Sequence, residues 1–174
     1  GTTYSETFTV ATADGTTSTV TVNILGTNDA AVLSTATVNL TETNAVLSTN
    51  GTLTVSDVDS PATFVVQTGT VGTYGTFTIN AAGAWTFTAN SAFDHLAVGE
   101  SASEVFNVAS ADGTPSSVAI SITGSNDAPV IQLLTTDSAA ASLTETNSGL
   151  SAAGTLSVRD ADTSDTVSST VTGV

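Results

Sequence analysis

The chain has 174 residues, with 16 Asp or Glu against a single Lys or Arg, which gives a formal net charge of −15. Such a charge repels DNA, RNA and anionic lipid surfaces, so no nucleic-acid partner is expected. Because 40% of the residues are hydrophobic and none is cysteine, the chain is expected to fold around an apolar core without disulfides or thiolate metal sites.

The segment with which the chain opens recurs further along. Ser5 to Ala30 aligns without gaps with Ser103 to Ala128 at an offset of 98 residues. Leu40 to Asn44 and Gly51 to Leu53 recur at an offset of 103, so five residues are inserted near Gln132 to Ala141. A period of this length indicates a tandem array. The predicted domains are the C-terminal part of one repeat (1–26), a complete repeat (27–125) and the N-terminal part of the next (126–174).

Alternation of apolar and polar residues predicts seven strands in the complete repeat. In chain order they span Ala36 to Glu42, Thr52 to Val58, Thr63 to Gln67, Tyr74 to Asn80, Ala84 to Ala89, Glu104 to Ala111 and Ser117 to Thr123. Seven strands in about 100 residues are typical of a sandwich. The predicted fold is therefore all-β, with immunoglobulin- or cadherin-like Greek-key β-sandwich repeats in tandem. No apolar run reaches the roughly 18 residues that a membrane span needs, so no membrane insertion is expected.

If successive strands alternate in direction, the acidic residues sort onto the two ends of the repeat. We call the end where the unit begins the top. The predicted upper cluster holds Asn28, Asp29, Asp57, Asp59 and Asp112. The predicted lower cluster holds Glu42, Asp94, Glu100, Asn126 and Asp127, and it meets Asp160 and Asp162 at the top of the next repeat.

The acids recur in step with the repeat, which is not the pattern of a random solvated surface. Twelve of the 16 form matched pairs, namely Glu6 with Glu104, Asp14 with Asp112, Asp29 with Asp127, Glu42 with Glu145, Asp57 with Asp160 and Asp59 with Asp162. Converging carboxylates repel each other by roughly 1 kcal/mol or more per close pair, so a cation from solution is expected. All-oxygen ligands favour Ca²⁺. For any single Asp, a solvated turn residue is the simpler interpretation.

Five motifs carry a resemblance to a known family. They are Gly124 to Val130 at the repeat boundary, Leu40 to Glu42, Asp57 to Asp59, Tyr74 to Gly83 and Val108 to Gly113. With these motifs the unit resembles the cadherin-like repeats, specifically the bacterial VCBS-type repeats of giant secreted adhesins with RTX-associated export. The resemblance implies a β-sandwich that holds Ca²⁺ between neighbouring domains.

The resemblance also implies which residues hold the ion. Cadherins use a linker of the form Asp-x-Asn-Asp-Asn, an early Glu, an Asp-x-Asp pair and a late Ala-x-Asp. These map onto Asn126, Asp127, Glu42, Asp160 and Asp162 at the lower junction, and onto Asn28, Asp29, Asp57, Asp59 and Asp112 at the upper one. The linker departs from the family pattern at Gly124 and Ala128, and Asp94 lies in a segment that only loosely matches the family's Leu-Asp-Arg-Glu. Fewer ions than in animal cadherins are therefore expected.

The leading functional hypothesis is a structural spacer of a long, secreted, bacterial cell-surface adhesin, with Ca²⁺ at the repeat junctions stiffening the array. Neighbouring repeats of the same polypeptide are its expected partners. One alternative is a repeat that itself mediates homophilic fibre or matrix assembly or glycan binding, and another is an accessory domain of a secreted hydrolase. No catalysis is expected, because His95 is interpreted as a loop residue and Trp85 as a core residue.

Overall fold

The computed structural model describes residues 1–167, which form strands and connecting loops. The strands are β1 (Thr3–Ala11), β2 (Thr17–Leu25), β3 (Val32–Leu33), β4 (Ala36–Thr41), β5 (Ser48–Thr52), β6 (Val55–Ser56), β7 (Gln67–Val71), β8 (Gly75–Ile79), β9 (Ala84–Ala89), β10 (Ser101–Ala109), β11 (Pro115–Thr123), β12 (Val130–Gln132) and β13 (Ser157–Arg159). Within this part of the chain no helix is long and apolar enough to cross a membrane.

Two larger sheets and the two-stranded pair β3–β6 build the complete repeat. One has four strands in the order β5-β9-β8-β7, and the other has three in the order β10-β11-β4. All neighbours are antiparallel except β4, which runs parallel to β11. The first and last strands of the repeat therefore point the same way, as the predicted alternation requires. The all-β sandwich prediction is confirmed.

Aromatic residues from both sheets meet in the core. Phe77 of β8 stacks on Phe106 of β10 with ring centroids 4.8 Å apart, and Phe87 of β9 lies 5.8 Å from the same ring. Phe77 and Phe87 are completely buried, and Trp85 is 3% exposed. Trp85 is thus a core residue, as predicted. These rings occupy alternate strand positions, so each strand buries one face against the opposite sheet.

The second predicted strand, Thr52 to Val58, is wrong as a continuous strand. β5 ends at Thr52 and β6 covers only Val55 and Ser56. Between them the chain changes partner, because β5 pairs with β9 while β6 pairs with β3. The N–H of Leu53 donates to Gly83 O at 2.9 Å, outside either ladder. The alternating pattern continues through this switch, so the sequence pattern could not reveal it.

The third predicted strand, Thr63 to Gln67, is also wrong. Its residues make one isolated bridge, Phe64 with Ser110, beside the end of β10. The chain then crosses to the other sheet, where β7 begins at Gln67 and pairs with β8 through a register shift between Gln67 and Thr70. The predicted segment is the crossing between the sheets, and its alternation reflects burial of Phe64 rather than a ladder.

Two paired segments flank the sandwich. β1 and β2 form a hairpin in which every residue is exposed. β12 and β13 pair Val130 with Arg159, in the arrangement in which β3 and β6 pair Val32 with Ser56. The last segment of the chain thus repeats the opening of the complete repeat.

Candidate metal centre

Three carboxylates from separate parts of the chain converge at the lower end of the sandwich. Glu42 follows β4, Asp94 lies in the loop after β9, and Asp127 lies in the linker after β11. One carboxylate oxygen of each lies within 4.8 Å of the corresponding oxygens of the other two. Glu42 is held here because its N–H donates to Thr123 O at 2.8 Å, which extends the pairing of β4 with β11 by one residue.

A fourth carboxylate comes from the segment that follows the linker. The N–H of Asp127 donates to Asp162 Oδ2 at 2.8 Å. Asp162 and Glu42 are each only 1% exposed. We refer to Glu42, Asp94, Asp127 and Asp162 as the four-carboxylate site. Its residues come from the complete repeat, the linker and the next repeat, so the site spans the junction.

Each member of this site has one buried oxygen without a hydrogen-bond partner within residues 1–167. These atoms are Glu42 Oε2, Asp94 Oδ1, Asp127 Oδ2 and Asp162 Oδ1. Buried polar groups in proteins are nearly always paired, and a buried carboxylate without a partner is unfavourable. Four such atoms at one junction are the arrangement that a cation satisfies.

The electrostatics of Asp127 agree with this interpretation. Burial raises the pKa of Asp127, and the neighbouring charges of Glu42, Asp94 and Asp162 raise that pKa further. A hydrogen bond with the Asn44 side chain acts in the opposite direction. The carboxylates therefore repel one another, and a cation among them would remove the repulsion.

Direct hydrogen bonds also cross the junction. The N–H and the hydroxyl of Thr163 both donate to His95 O, at 3.4 and 3.2 Å. His95 contributes its backbone carbonyl here, and its ring lies 5.9 Å from that of Phe93. The loop that carries Asp94 is thereby tied to the segment that carries Asp162. Hydrogen bonds therefore connect the two sides of the four-carboxylate site even without an ion.

The upper cluster is organised differently. Asp112 accepts the hydroxyl of Ser110, the N–H of Thr114 at 3.0 Å and the N–H of Ala31 at 3.1 Å. These bonds, with that from Ser110 the strongest, hold the pKa of Asp112 well below its usual value. The backbone N–H groups of Asp59 and Ser60 likewise lower the pKa of Asp57. Local donors thus stabilise both charges.

One acceptor at the upper end is nevertheless left unpaired. Asp57 Oδ2 is buried and has no hydrogen-bond partner in the described part of the chain. Asn28 bridges the cluster, because its Nδ2 donates to Asp112 Oδ2 at 3.3 Å and its Oδ1 accepts the Ser60 hydroxyl at 2.8 Å. All five predicted residues of this cluster therefore share one hydrogen-bonded network.

The same three hydrogen bonds recur at the two junctions. Each linker Asn donates from Nδ2 to the carbonyl of the following Asp, at 2.9 Å in both cases. The backbone N–H groups of Asp29 and Asp127, both in linkers, donate to the carboxylate of the second acid of the Asp-x-Asp pair, at 3.2 and 2.8 Å. Within each pair the second acid donates its N–H to the first, at 2.9 and 3.2 Å. The matched residues thus occupy equivalent positions.

The predicted site residues divide into three groups. The structure brings Glu42, Asp94, Asp127 and Asp162 together at the junction, and Asn126 and Asp160 orient this group through the bonds just described. Asn28, Asp29, Asp57, Asp59 and Asp112 form the upper network. Glu100, which the strand directions place in the predicted lower cluster, accepts the N–H of Ala97 at 3.0 Å and closes a turn instead.

Sequence reasoning missed three residues at the lower junction. Ser125 donates its N–H and hydroxyl to Glu42 Oε1, at 3.1 and 2.7 Å. Asn44 and Arg159 line the same cleft as Asp94 and Asp127. A signal for Asn44 was present, because it recurs as Asn147 in the matched Leu-Thr-Glu-Thr-Asn motif. Arg159 has no matched basic residue, so the repeat offered no guide to it.

The spacing of the oxygens indicates which ions fit the junction. Oxygen ligands around Ca²⁺ lie about 2.3–2.6 Å from the ion, so two of them are at most about 5 Å apart. The observed limit of 4.8 Å between the ligand atoms of Glu42, Asp94 and Asp127 is within that span. An all-oxygen donor set is also the set that a hard divalent cation prefers. The arrangement can therefore hold such a cation and join the two repeats through it.

Comparison with known proteins adds one finding. Residues 28–124, more than half of the chain, match the family model described as a bacterial cadherin-like domain. The match begins at Asn28 in the first linker and ends at Gly124, where the second linker begins. No curated protein matches the chain significantly.

Proposed function

The chain belongs to the bacterial cadherin-like domain family, and from that premise we propose that it is a spacer of a long, secreted cell-surface adhesin in which Ca²⁺ stiffens each repeat junction. Family membership supports a structural, adhesion-type repeat. The adhesin context, the surface location, the absence of catalysis and the ion are parts of the proposal. Neighbouring repeats of the same polypeptide are its direct partners.

One observation carries the proposal. The four-carboxylate site takes Glu42 and Asp94 from one repeat, Asp127 from the linker and Asp162 from the next repeat, and each has a buried oxygen that is unpaired within residues 1–167. Glu42, Asp94 and Asp127 would hold such an ion, and Asp162 is fixed beside them by the N–H of Asp127, so the ion would reinforce a junction that the linker and direct hydrogen bonds already connect. Bending the junction would then require breaking metal–oxygen bonds. Without the ion, the same charges repel and weaken the junction, which the hydrogen bonds from Thr163 to His95 O still connect.

The residues have separate roles in this mechanism. Ser125 and the backbone of Thr123 hold Glu42 in place, and Asp160 holds the turn of Asp162. Asp127 supplies a side-chain ligand, while its N–H fixes Asp162. Ca²⁺, when bound, supplies the positive charge that the carboxylates lack. Extracellular modules bind this ion with dissociation constants of about 10⁻⁴ to 10⁻³ M, so stiffening would follow extracellular calcium.

Small-angle X-ray scattering of the chain with Ca²⁺ and with chelator tests the proposal. We expect a longer maximum dimension and a narrower distance distribution with Ca²⁺. Glu42→Gln should remove most of the difference, because it deletes a charged ligand while keeping the shape of the side chain. Glu6→Gln removes the same charge from the exposed hairpin and serves as the control. Identical scattering of the unaltered chain with and without Ca²⁺ would reject the stiffening role.

A further inference from the structure

A basic residue lies at the edge of the four-carboxylate site. A cleft of about 330 Å³ at the lower junction is lined by Asn44, Asp94, Asp127 and Arg159, among others. Arg159 is the only Lys or Arg in a chain that carries 16 acids. It ends β13, immediately before Asp160. The single Lys or Arg of the chain therefore borders the cleft in which acidic residues converge.

The fold itself does not require a basic residue at this position. Arg159 pairs with Val130 in the β12–β13 ladder, and its counterpart Ser56 pairs with Val32 in the β3–β6 ladder. Both precede the first acid of the Asp-x-Asp pair. Because serine occupies the same ladder position one repeat earlier, the positive charge is specific to the lower junction.

We propose that Arg159 is a built-in counter-ion of the lower junction, which partly neutralises the carboxylates in the absence of Ca²⁺ and weakens Ca²⁺ binding there. The inference rests on the proposed function, because it assigns a regulator to that site. Each junction of the array would then have its own calcium threshold, set by the residue before the Asp-x-Asp pair.

The charges explain why the competition is partial. None of the four buried oxygens accepts a hydrogen bond from Arg159 within the described residues, so its single positive charge acts on the carboxylates through space. Four carboxylates exceed that single charge, so Arg159 can lower their repulsion without abolishing it. Ca²⁺ carries two charges and would be held directly by the carboxylate oxygens, so it would still bind in competition with Arg159. The positive charge of Arg159 would then repel the nearby divalent cation, which lowers the affinity of the lower junction for Ca²⁺.

The first arm of the test measures the calcium-free protein. In chelator, Arg159→Ser should lower the melting temperature by about 1–4 °C, because the carboxylates lose their counter-ion. The difference should shrink as salt is raised. Arg159→Lys keeps the charge and should restore most of the loss. Equal melting temperatures for all three proteins would overturn the counter-ion role.

The second arm measures Ca²⁺ binding at each junction separately by NMR. The amides of Ser125 and Asp127 report the lower junction, and those of Asp59 and Ser60 report the upper one. A unit charge within a Debye length of a divalent ion changes the affinity for that ion by roughly three- to tenfold, so Arg159→Ser should lower the midpoint at Ser125 and Asp127 by that factor. The midpoint at Asp59 and Ser60 should not move.

The outcomes separate the inference from the proposed function. If the unaltered chain shows no response at Ser125 and Asp127, the calcium site itself fails, and the competition fails with it. If both proteins respond with equal midpoints, the calcium site stands and the role of Arg159 is rejected, whatever the melting temperatures show. A lower midpoint in Arg159→Ser that Arg159→Lys reverses supports the proposal.

Discussion

Two aspartates, Asp112 and Asp127, carry opposite pKa shifts although both lie at repeat junctions. Hydrogen bonds from Ser110 and Thr114 lower the pKa of Asp112, whereas burial and the charges of neighbouring acids raise that of Asp127. The fold stabilises the charged form of Asp112 and destabilises the charged form of Asp127. The difference is one of local donors, because Asp112 has them and the side chain of Asp127 has few.

We therefore expect Asp112→Asn and Asp127→Asn to have opposite effects in calcium-free protein at pH 7. Asp112→Asn should lower the melting temperature by several degrees, because an amide cannot accept all the hydrogen bonds that the carboxylate receives. Asp127→Asn should raise the melting temperature, because it removes one of several repelling charges. With saturating Ca²⁺, Asp127→Asn should lose this advantage. Thermal unfolding monitored by circular dichroism measures the melting temperatures of the unaltered chain and of both variants, in chelator and in saturating Ca²⁺.

The pH dependence of the two variants follows from linkage. The unfolded value for both groups is 3.8. The stability that Asp112 contributes is present above this value and is lost as the pH falls through its lowered folded pKa. The penalty from Asp127 is fully present above its raised folded pKa and disappears as the pH falls towards 3.8. A calcium-free gain for Asp127→Asn that does not shrink as the pH falls towards 3.8 would contradict this assignment.

At the scale of elements, two glycines provide a matched pair. Gly83 in the β8–β9 hairpin and Gly113 in the β10–β11 hairpin both have positive φ, 85° and 91°. Each donates its N–H to a carbonyl three residues earlier at 3.0 Å. They differ in surroundings, because a Cβ on Gly83 would lie 2.2 Å from Leu53 O, while one on Gly113 would meet nothing within 4 Å.

Replacing each glycine by alanine separates backbone strain from crowding. Gly113→Ala should cost about 1–2 kcal/mol, the cost of the left-handed conformation alone. Gly83→Ala should cost roughly 1–3 kcal/mol more, because the hairpin must also move away from Leu53. Denaturant unfolding of both variants measures the difference. Equal costs would mean that the β8–β9 turn yields without strain and does not anchor Leu53.

The elements that were predicted correctly are those whose partner does not change. The β8–β9 hairpin and the body of β10 and β11 keep one partner throughout, so alternation and turn residues sufficed. The segments 52–58 and 63–67 exchange partners between sheets, and alternation records burial only.

The hydrogen bonds also locate the five residues that are inserted in the last repeat. Asp137 accepts the N–H of Ser157 at 3.0 Å as Ser34 accepts that of Thr54 at 2.8 Å, so the extra residues precede Asp137.

One matched acid has a role that its recurrence did not reveal. Glu104, the counterpart of Glu6, accepts the N–H groups of Thr73 and Tyr74 at 2.8 and 3.2 Å, so it holds the turn before β8. Recurrence alone therefore identifies a residue that the repeat needs, whether for a junction or for a turn. Strand direction was the additional step that grouped Glu42, Asp94 and Asp127, and it succeeded because β4, β9 and β11 all run downwards.

At the scale of the whole molecule, the same hairpin occurs twice in different surroundings. β1–β2 pairs Thr3 with Leu25, and β10–β11 pairs Ser101 with Thr123, which is the identical register shifted by 98 residues. Every residue of the first hairpin is exposed, whereas Phe106, Val118 and other alternate residues of the second are buried against the opposite sheet. A comparison of β1–β2 with β10–β11 therefore measures how much packing against a second sheet contributes to the stability of a hairpin.

Hydrogen exchange should distinguish the two copies. An isolated two-stranded hairpin is marginal in water, so the amides of β1 and β2 should exchange almost as fast as an unfolded chain. The amides of β10 and β11 require opening of the sandwich and should exchange roughly a hundredfold or more slowly. Residue-resolved NMR compares positions 98 residues apart, for example Val20 with Val118, which matches side chain and register. Similar rates would show that the hairpin is stable by itself, and the role assigned to the opposite sheet would be wrong. Much slower exchange in β10–β11 alone would mean that a repeat must be packed as a complete sandwich before its ends can present a rigid junction.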